Sequence, residues 1–202
     1  MQKEEVMKQL LVSIFALFFI FSAMTSYAAG PGPYYAGVFG GYVIPDKMKL
    51  ENGSESRDVS FKNSWALGAK VGYILPSWKY LALEAEYFYL AKQDVDEAGA
   101  SGNYSANNLM FNALLRYPEG NIHPFLGAGI GCSWAAVSDL NAPVDATGNG
   151  FAWQILAGVN FDIAPNWSAD VAYRYFSSKY GIEGVDITAK NNLLLLGINY
   201  HF

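Results

Sequence analysis

The chain has 202 residues, of which 52% are hydrophobic and 16% aromatic but only 15% charged, so disorder, which goes with few aromatics and much charge, is excluded. A net charge of -5, a pI near 5.0 and the lack of any Lys/Arg cluster argue against a nucleic-acid-binding protein. With Cys132 as the single cysteine, neither an intramolecular disulfide framework nor a thiolate metal site can form.

Residues 1–28 read as a cleaved signal peptide. Lys8 precedes an apolar run from Leu10 to Met24, broken only by Ser13 and Ser22, and Ser26-Tyr27-Ala28 supplies a small-x-small cleavage site. The run is shorter than the roughly 18–20 residues a membrane-spanning helix needs, which argues against an N-terminal anchor. Glu4 and Glu5 fit a signal peptide poorly and leave Met7 as an alternative start. No cysteine follows the run, so a lipid-modified N-terminus is not expected. The remainder, 29–202, reads as one domain.

In that remainder the recurring signal is period-two alternation in segments of roughly ten residues, the signature of a membrane β-barrel. Eight segments show it: Tyr34–Val43, Phe61–Leu75, Tyr80–Ala91, Ala106–Tyr117, His123–Trp134, Gly150–Ile163, Ser168–Ser177 and Asn191–Phe202. Three links are short: Pro76-Ser77-Trp78-Lys79, Pro118-Glu119-Gly120-Asn121 and Ala164-Pro165-Asn166-Trp167. The others, near 44–60, 92–105, 135–149 and 178–190, are long and polar. Short periplasmic turns opposite long extracellular loops, with an even strand number, predict an all-β, eight-stranded antiparallel up-and-down transmembrane barrel.

The two faces of the segments differ in kind. Trp65, Leu67, Ala69, Val71, Tyr73 and Leu75 oppose Ala66, Gly68, Lys70 and Gly72. Leu81, Leu83, Ala85, Tyr87 and Tyr89 oppose Glu84 and Glu86, and Leu109, Phe111, Ala113, Leu115 and Tyr117 oppose Asn112 and Arg116. Phe151, Trp153, Ile155, Ala157, Val159, Phe161 and Ile163 oppose Gln154, Asn160 and Asp162, while Val171, Tyr173 and Tyr175 oppose Asp170 and Arg174. A Lys or Arg on the lipid side costs about 2–4 kcal/mol at the midplane, so the apolar face is expected to point outward. The rival is a soluble lipocalin-like barrel, which would turn its greasy face inward around a ligand. Two aromatic girdles are expected at the interfaces. Tyr35, Tyr73, Tyr117, Phe161, Trp167 and Tyr200 would form the periplasmic one, and Trp65, Tyr87, Tyr89, Trp134, Trp153 and Tyr175 the outer one.

The last segment sets Leu194, Leu196, Ile198, Tyr200 and Phe202 on one face and ends in an aromatic residue. Here the sequence resembles bacterial outer-membrane barrels. With Phe125-Leu126-Gly127-Ala128-Gly129-Ile130-Gly131, Ala157-Gly158-Val159-Asn160-Phe161 and Tyr173-Arg174-Tyr175, it is similar to the opacity-protein/OmpA-type β-barrel family over about residues 29–202. The resemblance implies an integral outer-membrane protein of a Gram-negative envelope, surrounded by lipid and lipopolysaccharide. It also implies that Ile198, Tyr200 and Phe202 are read by the barrel-assembly machinery. Nothing follows Phe202, so the peptidoglycan-binding domain of larger OmpA proteins is expected to be missing.

An eight-stranded barrel leaves an interior that side chains just fill. Lys70, Arg116 and Arg174 are expected to meet Glu84, Glu86, Asp162 and Asp170 there in a paired network, because unpaired charge in a low dielectric is costly. A turn near Ser77 would bring Lys70 close to Glu84 and Glu86, with Arg174 at a similar height. Met110, Leu114, Leu156, Phe88, Phe125 and Leu195 also point inward. These residues predict a plugged lumen, and OmpA-type barrels hold a similar internal salt-bridge set. The rival is a narrow solute pore, since glycines at 68, 72, 127, 129, 131, 158 and 197 thin the inner lining.

Catalysis is not expected. His123 and His201 are the two histidines, and both fall at the periplasmic end. Arg174-Tyr175-Phe176-Ser177-Ser178 faintly resembles the lipid A deacylase region, but a His would be expected where Phe176 stands. Without that base, Ser177 and Ser178 read as residues leading into a loop. Neither a metal nor a cofactor is expected. The four long links carry eleven acids and six bases, which places the acidity on the outer surface. There an extracellular partner, or a divalent cation bridging Asp94, Asp96 and Glu97 to lipopolysaccharide, is a weaker expectation. Cys132 alternates outward with Ile130 and Trp134 as a small apolar wall residue.

Overall fold

The computed structural model describes residues 32–46, 48–52, 55–59, 61–94, 102–139, 145–182 and 185–202. The expected signal peptide at 1–28 lies outside them, as do Asp96 and Glu97. All ten described elements are strands: β1 (Tyr34–Pro45), β2 (Met48–Asn52), β3 (Glu55–Val59), β4 (Ser64–Ile74), β5 (Leu81–Asp94), β6 (Gly102–Arg116), β7 (Ile122–Asp139), β8 (Asp145–Ala164), β9 (Trp167–Ile182) and β10 (Val185–His201).

Eight of them close an all-antiparallel barrel. Each of β4 to β9 pairs with its successor, and β1 pairs with β4 on one side and β10 on the other. In the closing seam Val38 faces Ile198 and Tyr42 faces Leu194, so the apolar alternation of both strands falls in step. A slip of one residue would turn every one of these side chains to the other face.

Outward parity follows the sequence reading. Trp65, Leu67, Leu83, Phe111, Ile130, Phe151, Val171 and Leu196 are all exposed on the outer wall, and Cys132 is exposed beside them. Glu84, Glu86, Asn112, Gln154, Asp170 and Arg174 are buried within. That arrangement is the reverse of a soluble ligand carrier. One girdle residue is corrected: Tyr35 is buried in the lumen, and its neighbour Tyr34 stands in the wall against Tyr73, with ring centroids 4.8 Å apart. Residues 34–43 are apolar on both faces, so alternation alone could not orient this strand.

The three short links are tight turns. Leu75 N–H donates to the Leu81 carbonyl at 3.0 Å, and Leu81 N–H returns a bond to Trp78 at 2.9 Å. Gly120 adopts φ 76°, a conformation that costs glycine little. The long links differ from expectation. β8 runs for 20 residues and β7 for 18, about twice the 9–11 a tilted strand needs to cross a bilayer. Much of what reads as loop is therefore continued sheet, because backbone pairing is indifferent to side-chain polarity. Ser177 and Ser178 likewise lie within β9, not at its exit.

The first long link folds back as a hairpin. β1 stops at Pro45, which has no N–H to donate, and Asp46 N–H bonds the Lys190 carbonyl at 2.9 Å. Pairing against β10 then resumes in β2 at Lys49↔Thr188, and β3 pairs back onto β2. In β5 a register shift between Leu90 and Gln93 carries Gln93 inward, where its amide donates to Asn191 at 3.0 Å.

Candidate functional site

The lumen is built in layers. Nearest the long-link end, Tyr104 and Tyr180 share a hydrogen bond of 2.8 Å, and Ser133 joins Tyr180 (2.6 Å) to Asn108 (2.5 Å). Below them Phe88, Phe176, Met110 and Leu193 are wholly buried, with Phe88 and Phe176 edge to face at 5.3 Å. Then comes a charged layer, and below it a mouth at the short-turn end.

Five of the seven residues expected to carry charge in the lumen meet in that layer. Lys70 Nζ on β4 donates to Asp170 Oδ1 on β9 at 2.8 Å and lies 3.7 Å from Glu84 Oε2. Arg174 Nη2 on β9 donates to Glu86 Oε2 on β5 at 2.7 Å. The three acids therefore divide the two bases between them: Lys70 faces Glu86 in register yet bonds Asp170, and Glu86 takes Arg174. Neutral side chains complete the coordination. Tyr35 Oη and Asn112 Nδ2 each donate to Glu84 at 3.1 Å, and Asn199 Nδ2 donates to Asp170 at 2.7 Å. Gln154 donates both to Glu86 and, at 2.7 Å, to Asn112. Buried carboxylates hold their charge only when so surrounded. Arg174 Nε and Nη1 have no hydrogen-bond partner, but the guanidinium carbon lies 4.6 Å from the Phe88 ring centroid and 5.0 Å from that of Phe39. Aromatic faces are attractive neighbours for a desolvated cation.

Arg116 is the correction. It ends β6, four residues beyond Asn112, or about 13 Å along the strand from the level of Glu84. Among the described residues it makes no ion pair. Asp162 is also apart from the network: it lies at the short-turn end and takes Nε2 of His123 at 3.1 Å. His123 Nδ1 faces the Tyr117 carbonyl at 2.9 Å, and His201 Nε2 faces Ser168 Oγ at 2.9 Å.

Sequence reasoning missed Tyr35 and Asn199 as members of the layer. Asn199 was legible as a polar residue at inward parity between Ile198 and Tyr200; Tyr35 left no such signal.

The glycines of the inner wall are not open space. At each of the seven positions thought to thin the lining, a Cβ would collide with a lumen side chain. Phe39 and Phe88 lie over Gly68, Tyr35 over Gly72, Leu114 over Gly127, Asn112 over Gly129, Met110 over Gly131, Phe125 over Gly158 and Asp170 over Gly197. The voids that remain within the charged layer are about 20 and 40 Å³, room for one or a few waters.

At the short-turn end of the wall, Trp167 packs edge-on to Tyr200 at 5.1 Å, and the Phe202 ring stacks between Tyr200 (6.4 Å) and Tyr34 (6.2 Å). Ile198 is exposed on the same outer face. The three residues of the expected assembly signal thus lie together along the closing seam.

The chain is similar to solved barrels. It resembles Neisserial surface protein A at a TM-score of 0.59, 18% identity, over 86% of this chain and 99% of that one. It resembles the outer membrane protease OmpT of Escherichia coli at 0.53 and 11% identity, over 88% and 100%. Outer membrane protein A of Shigella flexneri is 26% identical over 148 residues, 70% of this chain and 41% of that protein, so the chain spans less than half the length of this relative. The family model described as the outer membrane protein beta-barrel domain matches residues 13–202. A closed eight-stranded barrel, greasy outside and ionised within, matched along almost its whole length: this chain belongs to the outer membrane protein β-barrel family.

Proposed function

We propose that this protein is a non-enzymatic outer-membrane barrel with a sealed lumen, serving envelope integrity or surface interaction rather than transport. The observation that carries this reading is the filling of the inner wall: lumen side chains lie over all seven glycines that would otherwise widen it. Supporting it, Phe88, Phe176, Met110 and Leu193 form a wholly buried layer above charges that are paired. In this reading residues 1–28 are removed on export, the short turns face the periplasm and the extended strand ends stand outside the cell. Lipid and lipopolysaccharide contact the wall, the assembly machinery reads Ile198, Tyr200 and Phe202, and an extracellular partner would meet the projecting strands.

Planar-bilayer recording tests the seal. The purified barrel is expected to give no steady single-channel steps, and reproducible steps abolished by filling the lumen would overturn it. A narrow pore is the second reading, favoured by the two voids beside Lys70 and Glu84. Against an enzyme stands the placing of both histidines at the short-turn end, with His201 bonded to a wholly buried Ser168. The likeness to a protease is one of fold.

A further inference from the structure

Among the lumen cations, Lys70 and Arg174 each have a carboxylate within 3 Å. Arg116 has none. Its backbone N–H is used, bonding the Tyr80 carbonyl at 2.7 Å, but among the described residues its guanidinium makes neither an ion pair nor a hydrogen bond. Asp162, the acid that shares its cavity, is already engaged by His123 at 3.1 Å. Five N–H donors in a rigid fork are therefore left to whatever enters.

The cavity they face is substantial. Arg116 lines both the 40 Å³ void in the charged layer and a mouth of about 430 Å³ at the short-turn end, where Lys79 and His201 also stand. That volume falls in the range of small-molecule sites, about 300–1,000 Å³. A guanidinium fork with an ammonium beside it suits planar or tetrahedral oxyanions, which it grips with two parallel bonds.

We propose that this mouth binds a small oxyanion, the phosphate or carboxylate group of a solute or a phospholipid headgroup, with Arg116 as anchor and Lys79 as second cation. The site is independent of the sealed-lumen reading, since a blind pocket and a pore entrance would present the same fork.

The test is calorimetric titration with inorganic phosphate, glycerol 3-phosphate and acetate. The protein is held first in a maltoside detergent, which carries no phosphate, and then in phosphatidylglycerol nanodiscs. In detergent, saturable binding of at least one probe is expected, weakened about tenfold or more by Arg116→Gln, as loss of a charge-assisted bond implies. Lys79→Gln, on an exposed turn outside the barrel wall, reads the same site without touching the fold and is expected to weaken binding by a smaller factor. Lys92→Gln, on the outer wall, is the control and is expected to change nothing. Binding in both environments identifies a free solute; binding that vanishes in nanodiscs identifies the headgroup as occupant. No saturable binding in detergent, or equal binding by wild type and both mouth variants, overturns the proposal.

Discussion

Two adjacent layers of the lumen solve the same filling problem in different ways. The aromatic layer of Phe88, Phe176, Met110 and Leu193 leaves no solvent access to any of them and depends on shape. The charged layer below encloses small voids and depends on partners, each ion being held by atoms on two or more strands. An apolar layer degrades gradually when a side chain shrinks. A paired layer fails at once when one member is lost, because the survivor is left ionised in a poor solvent.

The largest expected effect separates these behaviours. Arg174→Ala strands Glu86 and removes the cation between Phe39 and Phe88, and should cost about 3–5 kcal/mol in urea unfolding from lipid vesicles. Replacing both partners, Glu86→Met with Arg174→Met, should restore most of that loss. If the single variant costs under about 1 kcal/mol, the layer is wet and screened, and the contrast with its neighbour disappears. Next in size is Leu193→Ala, wholly buried in the apolar layer, at about 2–5 kcal/mol depending on how far the lumen collapses. No second substitution in the charged layer should rescue it. The smallest is Tyr104→Phe, which removes the hydroxyl bonded to Tyr180 at 2.8 Å. A loss of about 0.5–1.5 kcal/mol is expected in the same assay, and a larger one would mean the polar cap governs the layers beneath it.

Much of this organisation was readable beforehand, for a specific reason. Where a strand alternates Leu83, Ala85 and Tyr87 against Glu84 and Glu86, hydrocarbon accepts one face alone, so inside and outside follow from parity. Where both faces are apolar, as in β1, parity is silent, and Tyr35 was assigned to the wall although it bonds Glu84. The long links misled for the opposite reason. The link at 135–149, ending in Thr147-Gly148-Asn149, reads as loop, yet β7 and β8 stay paired as far as Ser138↔Asp145. The glycines misled too, since a residue without a side chain reads as empty space until the neighbour that occupies it is known.

What the chain determined by itself is the barrel: strand number, handed faces and most of the ions that had to be inside. Those follow from the period of the alternation and the cost of charge in hydrocarbon, both local properties of a segment. Which acid takes which base was decided by closure of the sheet. Lys70 and Asp170 lie a hundred residues apart and meet at 2.8 Å, whereas Arg116, of the same parity and charge, forms no ion pair among the described residues. Partner choice across a lumen depends on height and stagger between strands distant in sequence, and no single segment carries that information.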